Sequence, residues 1–168
     1  MACLLTTGFE TKCTDTQGGL AFVEFADWKS LGTPTYSSEA GEEDVITSFD
    51  ATGSVWFKYE LNNDSNNYVE NILSDEQTGT TYYEQVLTLS LKKMDPISHK
   101  ELKLVTYGRP HVRITDNNGN KFIMGLNNGA KVTGGSMATG GAMGDFNGYS
   151  LTLTGKEATA ANFYNTVV

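Results

Sequence analysis

Thr80-Thr81-Tyr82-Tyr83-Glu84-Gln85-Val86-Leu87-Thr88-Leu89-Ser90-Leu91 decides the class of this fold. Tyr83, Leu87, Leu89 and Leu91 fall on one side of an extended chain, and Tyr82, Glu84, Thr88 and Ser90 on the other. A period of two held over this length means a long strand with one buried face. The same alternation recurs on both sides of it. Val55, Phe57, Tyr59 and Leu61 alternate with Trp56, Lys58 and Glu60, and Tyr149, Leu151 and Leu153 with Ser150, Thr152 and Thr154. Residues 20–28 are apolar on both faces, Phe22 and Trp28 against Val23 and Phe25, which predicts a strand covered from both sides.

The connections are written in turn residues. Asp116-Asn117-Asn118-Gly119-Asn120 separates Val112-Arg113-Ile114 from Phe122-Ile123-Met124. Asn-Gly accepts the positive φ angles of tight hairpins, so these two strands pair as neighbours. Asn62 to Asn67 is a second polar turn between two further strands. One segment reads as a helix, at about 95–107: Asp95 caps, Pro96 suits the first turn, Leu104 and Val105 follow Ile97 by about two turns, and Gly108 and Pro110 end it. Residues 30–43 are rich in Ser, Gly and acid, and residues 134–144 are rich in glycine, so both are expected to be long loops. No domain boundary or internal repeat interrupts the chain. The expectation is one all-β domain over 1–168, a β-sandwich or partly closed barrel with one flanking α-helix and long loops.

At 168 residues and 39% hydrophobic content, the chain can enclose a substantial core. Its net charge of −8 argues against a clamp on nucleic acid, which needs cationic contacts to phosphate. A channel through which DNA must slide, by contrast, gains from repelling it. No apolar run approaches the ~20 residues of a membrane span. Met1-Ala2-Cys3-Leu4-Leu5 lacks a basic n-region, so the N-terminus does not read as a signal peptide and synthesis in a cytoplasm is expected. Cys3 and Cys13 are then expected to be reduced thiols.

Catalytic constellations are missing from the pattern. Gly135 and Gly140 have phosphate-loop spacing, but Gly141 and Ala142 stand where Lys and Ser or Thr are required. Asp145-Phe146-Asn147-Gly148 lacks the alternating acids and closing Glu of a calcium loop and reads as a turn into the Tyr149 strand. Glu42/Glu43 and Asp75/Glu76 lie in polar stretches that solvate carboxylates. His99 falls on the helix and His111 opens a strand, neither with a nucleophile or acid at a recognisable spacing. No catalytic residue, metal ligand or cofactor is expected, and the chain is not expected to be an enzyme.

Two regions carry a resemblance. One is Asn117-Asn118-Gly119-Asn120-Lys121-Phe122-Ile123-Met124-Gly125, followed after the small-residue stretch by Met143-Gly144-Asp145-Phe146-Asn147-Gly148-Tyr149-Ser150-Leu151-Thr152-Leu153-Thr154-Gly155-Lys156-Glu157. The other is the start: Gly8-Phe9, Cys13, Asp15, then Gly18-Gly19 before the first apolar strand. With Lys100 to Leu104 on the helix, these resemble structural proteins of tailed-phage virions, most of all tail tube (major tail) proteins. The resemblance implies a β-sandwich or barrel with a flanking helix, rings (hexameric in that family) stacked around an acidic lumen, and a place in the virion tail. Its partners would be copies of itself and other tail or neck proteins, with DNA only as cargo and no membrane.

Two other classes are open at this level. One is a head decoration or head-to-tail connector protein of the virion. The other is a carbohydrate-binding β-sandwich module, with Phe9, Phe22, Trp28 and Trp56 as an aromatic platform. For a tube subunit, the two long loops are the expected contacts with neighbouring copies. Leu31, Pro34 and Tyr36 in the first, and Met137 and Met143 in the second, are the candidate subunit-interface residues.

Overall fold

The computed structural model describes residues 8–10, 13–50, 54–61 and 65–164. Cys3 and three residues of the expected 62–67 turn lie outside them. The chain runs β1 (Leu20–Ala26), β2 (Pro34–Tyr36), β3 (Ile46–Phe49), β4 (Phe57–Glu60), β5 (Asn67–Asp75), β6 (Thr80–Lys92), α1 (Pro96–Tyr107), β7 (His111–Asp116), β8 (Lys121–Met124), β9 (Lys131–Ala138) and β10 (Gly148–Glu157). Among the described residues it is an all-β sandwich with a single helix, and no barrel closes.

One sheet has the order β4-β1-β7-β8 and the other β5-β6-β10-β9, every pair antiparallel. The alternation that opened the sequence decides how they face each other. Gln85, Leu87 and Leu89 of β6 and Tyr149, Leu151 and Leu153 of β10 are buried on one side of their sheet. Leu20, Val23 and Phe25 of β1, Val112 and Ile114 of β7 and Met124 of β8 complete a single apolar cluster from the opposite sheet. Each fully buried side chain of this size contributes about 1.5–3 kcal/mol relative to exposure, so this shared face holds the domain together.

The two sides of the sandwich are closed by different devices. On the β4/β9 side sits α1, where Leu102 joins the core and Val105 packs against it. Asp95 caps the helix by accepting from the Ser98 N–H at 3.2 Å, with Pro96 in the first turn. Of the three apolar residues whose spacing marked the helix, Val105 turns inward while Ile97 and Leu104 are exposed. On the β8/β5 side the C-terminal residues 162–164 add to β8. Ile123 N donates to Asn162 O at 3.1 Å and Tyr164 N to Lys121 O at 2.8 Å. Ile46 N then donates to Phe163 O at 2.8 Å, which docks the β2–β3 hairpin onto the same edge.

Both expected long loops are partly strand. Residues 34–36 pair with β3 inside the 30–43 stretch. Gly134 and Gly135 pair with Thr152 and Leu151 in β9, because the approach of β10 favours a residue without a side chain there. A Cβ on Gly135 would stand 2.6 Å from Ser150 O. Of the second stretch only residues 139–144 lie outside β9, in a loop that runs on to 147 and turns into β10 as expected. The turn after β4 also does more than close a hairpin, since β4 and β5 belong to different sheets. Trp28 lies beyond the end of β1, and the outer face of that strand is half-buried rather than covered. There Arg113 pairs with Glu24 at 2.6 Å and stacks on Trp56 and Tyr164. The β7–β8 hairpin is as expected, with Gly119 at φ 86° and Asp116 Oδ1 accepting from the N–H groups of Asn118 and Asn120.

Candidate functional site

Both histidines are held in contacts within the fold. His111 is buried at the start of β7. Its Nδ1 lies 2.8 Å from Gly125 O, and its Nε2 accepts from the Lys29 N–H at 3.2 Å. A carbonyl can only accept, so Nδ1 bears the proton and the ring is neutral. Trp28 stacks on it at 5.1 Å. Gln85 Oε1 accepts from Gly125 N at 2.9 Å, and Glu157 Oε1 accepts from Asn127 N at 3.0 Å and Asn128 N at 2.8 Å. Three buried polar side chains thus hold residues 125–130, where the chain crosses from one sheet to the other. His99 meets the Tyr149 hydroxyl at 3.2 Å and ties α1 to β10.

Burial, the dominant influence, holds the His111 pKa below its usual value, while the Gly125 carbonyl and the Glu157 carboxylate act in the opposite direction. The unfolded chain therefore takes up this proton first. Stability from this site is complete above the unfolded value of about 6.5 and is lost as pH falls from there toward the lowered folded value. The denaturation midpoint should decline as pH falls below about 6.5, before the carboxylates titrate, and the decline should shrink in His111→Gln. An unchanged pH slope in that variant would contradict the assignment.

Among the described residues, no three of His, Cys, Asp and Glu are grouped to hold a metal ion, and no helix is long and apolar enough to cross a membrane. Glu42, Glu43, Asp75 and Glu76 are exposed. Three of the four rings considered for a sugar platform carry a cation of their own chain over the ring: Lys58 on Phe22, Arg109 on Trp28 and Arg113 on Trp56. Phe9 is exposed.

What the surface does offer is a projection and two grooves. Strand β10 ends at Glu157 opposite Tyr83, while β5 and β6 continue together to the Asp75–Thr80 pair. Beyond Tyr83 they form a two-stranded arm about 10 Å long, given ~3.3 Å per residue. Ile72 at its root is 67% exposed, and Leu73 and Tyr82, paired across it, are each 37% exposed. At the same end, the tail residues 158–163 and the β2–β3 turn enclose a groove of about 780 Å³ with Tyr36, Glu42, Glu43 and Tyr83 among its walls. Another, of about 450 Å³, runs between α1 and β9 and is lined by His99, Leu102, Lys103, Met137, Tyr149 and Leu151.

The candidate interface residues separate onto these features. Tyr36 lines the first groove and Met137 the second. Pro34 lies half-buried on β2, and Met143 is fully exposed in the 139–147 loop. Leu31 is 2% exposed and is spent inside its own subunit, which corrects its expected place at an interface. The arm escaped the sequence reading, although the length of the alternating run at 80–91 was a signal that β6 outlasts its neighbours. Comparison with known proteins finds no family model, no curated protein and no solved structure that matches this chain.

Proposed function

We propose that this chain is a self-assembling structural subunit of a tailed-phage virion, a tail tube protein whose copies form stacked rings around an acidic lumen. The observation that carries the reading is the projecting arm. A two-stranded ribbon is marginal in water, and this one displays Ile72, Leu73 and Tyr82 with no third strand beside them among the described residues. Such an element is accounted for when a neighbouring subunit covers it. Among the described residues β4, β5 and β9 each have a strand partner on one side only, and an open edge favours pairing with another chain. The buried side chains of His111, Gln85 and Glu157 brace a sheet crossover, a use that suits a structural subunit. The net charge of −8 suits a bore that lets DNA pass without holding it.

Negative-stain microscopy and sedimentation of the purified chain test this. Tubes or rings of uniform diameter are expected. A chain that sediments as a single subunit at every concentration, and binds to isolated capsids instead, would replace the tube role with a decoration role.

A further inference from the structure

The arm and the α1–β9 groove lie at opposite ends of the same sheet. Tyr149 of the groove is level with Leu91 on β6, whereas the arm begins at Tyr83 and points away. Eight residues of strand separate those levels, about 26 Å at ~3.3 Å per residue, and the nearest wall of the groove, Val132, is level with Leu87, about 13 Å from Tyr83. The arm runs the other way from Tyr83, so it cannot reach the groove of its own subunit.

Their chemistries match. The arm presents Leu73 and Tyr82 along its length and Asp75 and Glu76 at its tip; at its root Lys156 lies over the Tyr82 ring at 5.6 Å, with its charge paired to Glu84 at 3.4 Å. The acidic side chains Glu42, Glu43 and Asp44 line the groove at its root. The α1–β9 groove is apolar along Leu102, Met137, Tyr149 and Leu151 and has Lys103 on its wall. Exposed Lys100 lies nearly one turn earlier on the helix, and Lys92 and Lys93 end β6 at that level. Of the acids on α1 and its cap, Asp95 is committed to Ser98 N, and Glu101 faces Tyr59, whose pKa its charge helps to raise after burial. Asp145, in the loop nearby, accepts from Gly141 N and Ala142 N. One end of the molecule is thus apolar with an acidic tip, and the other is apolar with a lysine border. β9, one wall of the groove, has a strand partner on one side only.

We propose that the arm of one copy docks head-to-tail in the α1–β9 groove of the next. Tyr82 and Leu73 lie against Met137 and Tyr149, and Asp75 and Glu76 sit among Lys100 and Lys103. The contact joins two different patches, so it propagates in one direction and repeats in every subunit, as a stack requires. It rests on the assembly reading above and names the surfaces that carry it.

Charge reversal tests the pairing. The variant Asp75→Lys/Glu76→Lys sets a basic arm against a basic groove, and Lys100→Glu/Lys103→Glu sets an acidic arm against an acidic groove. All four side chains are exposed in the subunit, so both variants should fold, and far-ultraviolet circular dichroism checks that they do. Each alone should need at least tenfold more protein to assemble than the unaltered chain. Mixed in equal amounts, the basic arms meet acidic grooves and the acidic arms meet basic ones, and assembly should recover. Normal assembly of either variant alone, or a mixture that stays dispersed, overturns the proposed contact while leaving self-assembly intact. If the unaltered chain never assembles, the broader reading falls with it.

Discussion

Gly125→Ala is expected to lower stability by about 4 kcal/mol, combining ~1–3 kcal/mol of backbone strain with ~1–3 kcal/mol of overpacking. Gly125 ends β8 at φ 70°, a region that side chains disfavour. A Cβ there would stand 2.6 Å from Ala130 N and 2.6 Å from Gly129 C, both backbone atoms of the turn that carries the chain between sheets. That turn cannot yield locally, because Gln85, His111 and Glu157 hold it from three strands. Two other glycines separate the causes. Gly119 has φ 86° in the β7–β8 hairpin with open space around its Cβ position, so Gly119→Ala should cost only the strain, ~1–2 kcal/mol. Gly134 has neither positive φ nor a close neighbour, and Gly134→Ala should be near neutral. For a domain of this size the first variant should melt about 8–16 °C lower, and the order Gly125, Gly119, Gly134 should hold in calorimetry. Equal losses at Gly125 and Gly119 would mean that crowding in the crossover contributes nothing.

How much of this was legible in the sequence depends on how local each cause is. The alternation at 80–91 and 149–154, the Asn-Gly hairpin and the Asp95-Pro96 start of α1 are set within a few residues, and each was readable. β9 was not. Gly134-Gly135 has poor strand propensity, and it extends only because β10 lies beside it and approaches too closely for a side chain at Gly135. Leu31 looked available because its stretch is polar, yet it is buried in the subunit, and the β2–β3 hairpin that follows it is docked by residues 162–164, more than a hundred positions away. The inward face of α1 could not be read for a related reason. Ile97 and Leu104 are as apolar as Leu102, and only the positions of β9 and β4 select among them. Met137 was found as an interface candidate from its setting among small residues, whereas the arm depends on where β10 stops, which is a matter of register between distant segments.

Removal of the arm separates its contribution to assembly from any contribution to folding. Replacing residues 74–81 with Asn-Gly would join Leu73 to Tyr82, already paired across the ribbon, through a turn whose twist suits a hairpin. The deleted residues are all exposed, and the β10 pairing along β6 begins only at Tyr83, so the sandwich loses no core. Exposed segments of this kind change stability by about 0.5 kcal/mol or less per site, and a melting temperature within a few degrees of the unaltered chain is expected. Assembly should respond far more strongly. The arm tip carries Asp75 and Glu76, and without its length Leu73 and Tyr82 no longer extend from the body into a neighbour. Loss of a central contact of ~2–3 kcal/mol raises the protein concentration needed for assembly about a hundredfold. Sedimentation over a concentration series would measure the shift. A shortened chain that assembles at the original concentration would show that the arm is an ornament of the fold, and the open strand edges would then have to account for any stacking by themselves.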